Sequence, residues 1–297
     1  MTTGPRPAEF EAERRRLTGL AYRILGSLAE AEDAVQDTFL KWREADRDAI
    51  DNPAAWLTTA CTRRCLDLLK SARRKRVDYV GAWLPEPVHT VADGTPESSA
   101  ELASSLSTAF LLLLERLSPK ERAAYLLHEI FDRPYPDVAA ALGVQEAACR
   151  KLVSRAKATL GRPVARYTAP PERQETLLAA FRGALATGRS DRLAALLSDD
   201  IALSADGGGR VTAIREPLHG RDAVLGFLMG PLRDFWAAYE WRPAAINGGL
   251  GVLLLADGHL SAAVTFGYDE NGRVSDIFIM RNPDKLARLE AGTVVLS

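Results

Sequence analysis

The chain has 297 residues, 47% hydrophobic and 26% charged, a composition of folded domains rather than of a disordered chain and a length that fits two or three of them. Its 38 basic and 39 acidic residues leave a formal charge of −1, which taken alone argues against a nucleic-acid binder. Three cysteines exclude a disulfide framework in a chain this long. The N-terminal segment lacks the basic-then-apolar pattern of a secretory signal. The longest apolar runs, Ala109–Leu114 and Leu250–Ala256, fall short of the ~18 residues a membrane helix needs. A cytosolic protein with no membrane partner is expected.

The total charge conceals a strong sorting. Residues 27–48 carry seven acids and three bases, residues 63–76 carry seven bases and one acid, and residues 145–166 carry six bases and one acid. Helical periodicity dominates the first 166 residues. Phe10–Leu25 reads as a helix that stops near Gly26-Ser27. Leu28–Arg43 reads as a second, with Ala31, Val35, Phe39 and Trp42 as its buried stripe and Asp33, Gln36, Asp37 and Leu40 toward other faces. Asn52 is placed to cap a third helix, which opens on Pro53 and runs to about Lys75. Its Cys61 and Cys65 share a face, and with no His or further Cys close by they read as small core residues rather than metal ligands.

Gly81–Ser99, rich in proline and turn residues, reads as a linker whose Trp83 and Leu84 are costly to leave in water, so part of it should dock on a domain. Glu101–Arg116 reads as a helix, and Ser118-Pro119-Lys120-Glu121 as the capping box of the next. After the turn at Asp132–Tyr135 come two short helices, about Tyr135–Leu142 and Gln145–Leu160. Beyond Pro170-Pro171 the pattern changes: helices at Arg173–Thr187, Asp191–Leu197 and Arg221–Ala238, and strands around Ile201–Ser204, Ala244–Asn247, Gly251–Leu255, Leu260–Phe266 and Val274–Met280, with turns at Asp257-Gly258 and Asn271-Gly272. That is an α+β domain, a few helices against an antiparallel sheet.

The strongest local signal lies in residues 136–157. Two short helices meet at Leu142-Gly143-Val144; Ala139 and Ala140 permit close crossing, and the second helix carries Arg150, Lys151, Arg155 and Lys157. This is helix-turn-helix grammar, with Gln145 and Glu146 at the start of the recognition helix suited to base edges and the cations suited to phosphates or guanine edges. The bland alternative is a helical hairpin with a solvated basic face. Arg63, Arg64, Lys70, Arg73, Arg74, Lys75 and Arg76 form a second basic element. Alone they are a solvated helix end; beside a helix-turn-helix they suggest a second DNA contact. Trp56 can stack on an unpaired base or serve in the core.

Residues 9–166 resemble the two conserved domains of a bacterial extracytoplasmic-function sigma factor. Glu32–Trp42 matches the family's most recognisable stretch, the helix that binds the clamp coiled coil of RNA polymerase β′; Asn52–Arg76 matches the segment that melts and reads the minus-ten element; Pro136–Leu160 matches the minus-thirty-five reader. One departure is that Arg63 stands where the family usually has Asn. Residues 172–297 resemble a SnoaL-like domain of the cone-shaped fold shared with ketosteroid isomerase, and three short stretches resemble signatures of the sigma factors that carry this extra domain: Trp83-Leu84-Pro85 with Glu86-Pro87, Asp206-Gly207-Gly208-Gly209-Arg210, and Asn282-Pro283-Asp284-Lys285-Leu286.

The resemblance implies a multidomain chain: an all-α region 2 bundle (9–78), a linker (79–100), a region 4 helix-turn-helix domain (101–167) and an α+β cone (172–297). It implies core polymerase (β′ and β subunits) and promoter DNA as partners. Asp33, Gln36, Asp37, Leu40 and Trp42 would face polymerase. The three signatures would meet where linker and C-terminal domain join, and that domain would contact the sigma domains and regulate them. No cofactor, metal or catalytic residue is expected: Asp200, Asp206, Asp222, His219 and His259 sit in no catalytic motif. The alternative is a ligand-sensing or enzymatic cone whose pocket Phe227, Phe235, Trp236 and Phe266 line.

Overall fold

The computed structural model describes residues 6–77, 79–90, 104–161 and 169–291, with the side chains of residues 6–7, 47, 72–77 and 291 outside the description. It divides into two compact units, one within Met1–Val77 and Leu113–Arg162, the other within Asp78–Leu112 and Pro163–Val294. Among the described residues no helix is long and apolar enough to cross a membrane.

The first unit is helical. Helices α1 (Arg6–Leu25), α2 (Leu28–Glu44) and α3 (Pro53–Val77) pack through one apolar stripe each: Leu17, Leu20 and Ile24; Ala31, Val35 and Trp42; Leu57, Cys61 and Leu69. Gly26, at φ 72°, turns the chain after α1, and the Ser27 hydroxyl accepts from the Glu30 amide at 3.3 Å to start α2. Asn52 caps α3 in the same way, its Oδ1 accepting from the Ala55 amide at 3.0 Å. Cys61 and Cys65 are both free and fully buried; the hydrogen bond the Cys65 thiol donates to Cys61, together with burial, pushes that thiol well above its usual range.

Helix α4 spans Thr108–Leu114. The expected helix from Glu101 is interrupted, because Ser107 Oγ accepts from the Phe110 amide at 3.2 Å and the chain turns at Ser104–Ser107; residues 101–103 lie outside the described residues. Helix α5 (Pro119–Tyr125) carries a complete capping box from Ser118 and Glu121 and continues through a π turn at Leu126–Ile130. Helices α6 (Tyr135–Leu142) and α7 (Glu146–Leu160) meet at Gly143, whose φ of 61° is left-handed.

The second unit is a six-stranded sheet of order β2-β1-β6-β5-β4-β3, built from β1 (Leu197–Asp206), β2 (Leu218–His219), β3 (Glu240–Ile246), β4 (Gly249–Ala256), β5 (His259–Tyr268) and β6 (Val274–Met280). The expectation of a purely antiparallel sheet is corrected at one place: β1 and β6 run parallel, with Asp206 opposite Met280. Helix α8 (Pro171–Thr187) packs on β4, and α9 (Asp191–Ala194) follows it. The helix expected over 221–238 is three pieces, α10 (Arg221–Phe227), a π turn at Leu228–Leu232 and α11 (Arg233–Trp236). Gly230 leaves helical dihedrals there and Pro231 has no amide to donate. Helix α12 (Pro283–Ala291) closes the described chain.

The core of this unit centres on Phe181, fully buried, with the Trp241 and Phe266 rings 5.8 and 5.5 Å away. Linker residues 79–90 belong to this unit. The Val88 amide donates to Asn247 Oδ1 at 3.1 Å, His89 bridges to Ile246, and the Thr90 amide donates to the Ala245 carbonyl at 3.1 Å. The linker thereby covers part of β3, the exposed edge of the sheet. Linker residues 91–100 lie outside the described residues.

Candidate functional site

The parallel pairing of β1 with β6 puts their C-terminal ends side by side, so the loop after Asp206 and the start of α12 are neighbours although 76 residues separate Asp206 from Asn282. Asp206 is fully buried. Its Oδ1 accepts from the Tyr79 hydroxyl at 2.6 Å and the Gly208 amide at 2.9 Å, and its Oδ2 from the Leu84 amide at 2.9 Å and Lys285 Nζ at 2.7 Å. Lys285 Nζ also donates to the Leu84 carbonyl at 2.6 Å and lies 4.6 Å from the Trp83 ring centre. Asn282 donates to the Tyr79 hydroxyl at 2.9 Å, and its own Oδ1 accepts the Asp284 amide at 3.0 Å, capping α12 at Pro283. Burial, and then the bond to Asp206, holds the Tyr79 phenol above the usual tyrosine range.

The glycines are explained by contact. A Cβ on Gly207 would strike the Val211 carbonyl, and one on Gly208, at φ 61°, would strike the Asn282 amide. Around this polar centre Leu84 packs with Leu286 and Leu289 of α12 and with Met280, and Pro85 is buried. Arg210 and Asp284 form a 3.1 Å ion pair at the surface. The structure therefore brings the stretches 83–87, 206–210 and 282–286 into one junction. Tyr79 and Asn247, which tie the linker to the same unit, belong to no sequence motif; nothing local in the sequence marks them.

In the helical unit the recognition helix α7 seats Cys149, Leu152, Val153 and Ala156 inward and leaves Gln145, Glu146, Arg150, Lys151, Arg155 and Lys157 exposed. Glu146 pairs with Arg150, whose guanidinium lies 4.2 Å from the Tyr135 ring centre. Arg155 pairs with Glu121 at 3.2 Å and Lys157 with Glu129 at 2.8 Å. In both pairs the cation is solvated while the carboxylate is mostly covered. On α3, Arg63 donates to the last carbonyls of α6, Nη2 to Ala140 at 2.8 Å and Nε to Ala141 at 3.1 Å, a favourable place for a cation. Arg64 pairs with Asp37 at 2.6 Å and Lys70 with Asp67 at 2.9 Å. The side chains of Arg73, Arg74, Lys75 and Arg76 lie outside the described residues.

Trp56 is half-buried, its ring centre 5.4 Å from that of Trp42. It lines a cavity of about 190 Å³ between α3 and α6 together with Thr59, Asp137 and Ala140. On α2, Asp33, Gln36 and Leu40 are exposed and Asp37 partly so. Trp42, at 1% exposure, is inside the bundle. The expectation that its ring faces polymerase is corrected: it shapes α2 from within, and a partner on that face would touch Asp33, Gln36 and Leu40.

The aromatic residues expected to line a ligand pocket do not act together. Trp236 is core, Phe227 and Phe266 flank the core, and Phe235 is 47% exposed. Asp200, Asp222, His219 and His259 are exposed. Asp206, the buried acid, is saturated by its four donors. Among the described residues no group of three His, Cys, Asp or Glu could hold a metal ion.

Two family models match this chain, Sigma-70 region 2 over residues 10–75 and Sigma-70 region 4 over residues 107–160. The ECF RNA polymerase sigma factor SigJ of Mycobacterium tuberculosis is 36% identical over 288 residues, covering 94% of this chain and 92% of the relative. The probable ECF sigma factor SigI of the same organism is 32% identical over 247 residues, covering 75% and 85%. The crystal structure of M. tuberculosis SigJ superposes with a TM-score of 0.73 at 33% identity, covering 94% of this chain and 98% of that one.

Proposed function

This chain belongs to the extracytoplasmic-function family of RNA polymerase sigma factors, and from that premise we propose that its SnoaL-like domain regulates promoter engagement in cis, through a linker anchored on Asp206. The family acts by binding, not by catalysis: the chain directs core RNA polymerase to promoters through sigma regions 2 and 4. The proposal concerns the rest. The exposed α2 residues Asp33, Gln36 and Leu40 face the β′ clamp, α3 reads the minus-ten element, α7 reads the minus-thirty-five element, region 4 engages β, and the protein works in the cytoplasm.

The observation that carries the regulatory reading is the buried Asp206–Lys285 pair, which grips the linker at Tyr79 and Leu84. A linker held at Tyr79 and Val88–Thr90 cannot pay out freely between the two DNA-reading domains. The grip thus limits the separations those domains can adopt, and with it the effective concentration of one reader once the other has bound.

A second feature supports a closed resting state. The two promoter elements lie ~25 base pairs apart, roughly 85 Å at ~3.4 Å per base pair. Arg63 on α3 holds the end of α6, a few residues before Gln145, within hydrogen-bond distance. Engaging both elements therefore requires α3 and α6 to part, which frees Arg63 for the minus-ten DNA.

The test is in vitro transcription with core polymerase and the full-length chain, beside Asp206→Asn and Lys285→Met. Specific initiation by the wild-type chain and an altered rate or spacing preference in the folded variants are expected. No initiation by any chain sinks the promoter assignments, and identical behaviour of all three sinks regulation by the junction.

A further inference from the structure

Beside the Asp206 junction, and within the same unit, the loop after β1 walls a cleft of about 680 Å³, within the range of small-molecule sites. Its cations are Arg210, Arg215 and Arg281, and among the described residues no acidic side chain lines it. Arg210 is paired with Asp284 at the rim, while Arg215 is exposed. Arg281 is the informative one. It follows β6 directly, its Nη1 donates to the Thr212 carbonyl, and its guanidinium lies 4.6 Å from the Phe235 ring centre. Its Nε is buried with no hydrogen-bond acceptor, and burial holds its pKa below the usual arginine value. A buried, uncompensated guanidinium donor is costly unless an acceptor of opposite charge meets it.

The apolar surface points to the same place. The exposed large hydrophobic side chains include Val80, Val211 and Phe235; Val80 and Val211 line the cleft, and Phe235 lies against Arg281. Apolar side chains left in water beside cations make a surface for a molecule with both characters. We propose that this cleft binds a small organic oxyanion, a carboxylate or phosphate on an apolar body, with Arg281 and Arg215 on the anion and Val80, Val211 and Phe235 against the apolar part. Arginine suits the role because its planar fork meets two oxygens at once.

The cleft adjoins the linker tie at both ends, since Val80 follows Tyr79 and Gly207 follows Asp206. An occupant would touch the residue next to each partner of that bond. This consequence rests on the regulatory reading above, whereas the binding experiment contains neither polymerase nor promoter and stands or falls apart from it.

The experiment is calorimetric titration of the full-length chain with naphthyl phosphate, naphthoate and neutral naphthol. Saturable binding of one or both anions at millimolar concentration or below and none of naphthol is expected, with the phosphate and carboxylate arms telling the two oxyanions apart. Binding should weaken about tenfold or more in Arg281→Gln and in Arg215→Ala. Arg215 is exposed, so its variant decides the matter if Arg281→Gln fails to fold. Equal binding of naphthol, no saturable heat from either anion, or anion binding indifferent to Arg215→Ala overturns the proposal. Loss of promoter-DNA affinity in Arg215→Ala with no probe binding also overturns it, by making the cleft a phosphate-backbone surface.

Discussion

Asp206 is the residue on which the linker junction turns, and its chemistry makes its loss expensive. Replacing it by Asn keeps the shape but leaves Lys285, at 14% side-chain exposure, as a buried cation without its counter-charge. Removing one partner of a buried pair costs about 3–5 kcal/mol. Asp206→Asn should therefore lower the stability of the C-terminal unit by roughly that amount in chemical unfolding. Asp206→Asn with Lys285→Met should recover part of it, and purely additive losses would deny the coupling. Alkaline titration tests the same site. Burial raises the Tyr79 and Tyr268 phenols above the ordinary value, for Tyr79 with help from Asp206. The unfolded chain loses those protons near pH ~10 while the folded chain keeps them. The native state then holds more protons than the unfolded one, so stability falls as pH rises past ~10. Ultraviolet titration of tyrosinate should show Tyr79 and Tyr268 silent until unfolding, and Tyr79→Phe should flatten the alkaline loss; an unchanged slope would refute the Tyr79 part. The sequence made Asp206-Gly-Gly-Gly visible as a signature, but not its partner, since Tyr79 is 127 positions away and an isolated tyrosine carries no pattern.

At the scale of elements, local signals read well and long-range pairing did not. The Asn52 and Ser118 caps and the α6–α7 turn were legible because a cap or turn is specified within four residues. The parallel β1–β6 pair was not legible, since nothing in either strand states the direction of a partner some 70 residues away. The break before α4 was missed because Ser107 is an ordinary polar residue in helical periodicity; only its bond to the Phe110 amide reveals it as a cap. The turn at Gly143 joins the two helices of the helix-turn-helix. Its φ of 61° excludes side chains comfortably although a Cβ there would meet open space. Gly143→Ala should thus cost only the conformational penalty, about 1–2 kcal/mol, and Gly143→Asn less. Thermal melting would show this, and a much larger loss would mean that α6 and α7 depend on the turn for more than backbone geometry.

At the scale of the whole chain, a net charge of −1 misleads because charge is sorted along the sequence: acids on α2, bases on α3 and α7. The structure adds that some of those cations are engaged within the protein. Arg64, Arg150, Arg155 and Lys157 sit in ion pairs, and Arg63 caps α6. The Arg150–Glu146 pair, exposed at both ends, is cheap to exchange for a phosphate. Arg63 differs, because its two bonds join sigma region 2 to sigma region 4. If the closed packing must open before core polymerase is bound, apparent affinity is reduced by the fraction of chain that is open. Arg63→Ala then raises that fraction. Two charge-assisted bonds to carbonyls at a partly solvated site are worth about 1–2 kcal/mol in total, so affinity for core polymerase should rise roughly five- to thirtyfold. The measurement is made without DNA, where any role of Arg63 at the minus-ten element is silent. Tighter binding without promoter and weaker initiation with it would separate the two roles of this side chain. Unchanged polymerase affinity in a variant that melts normally would mean that the α3–α6 contact does not restrain the chain.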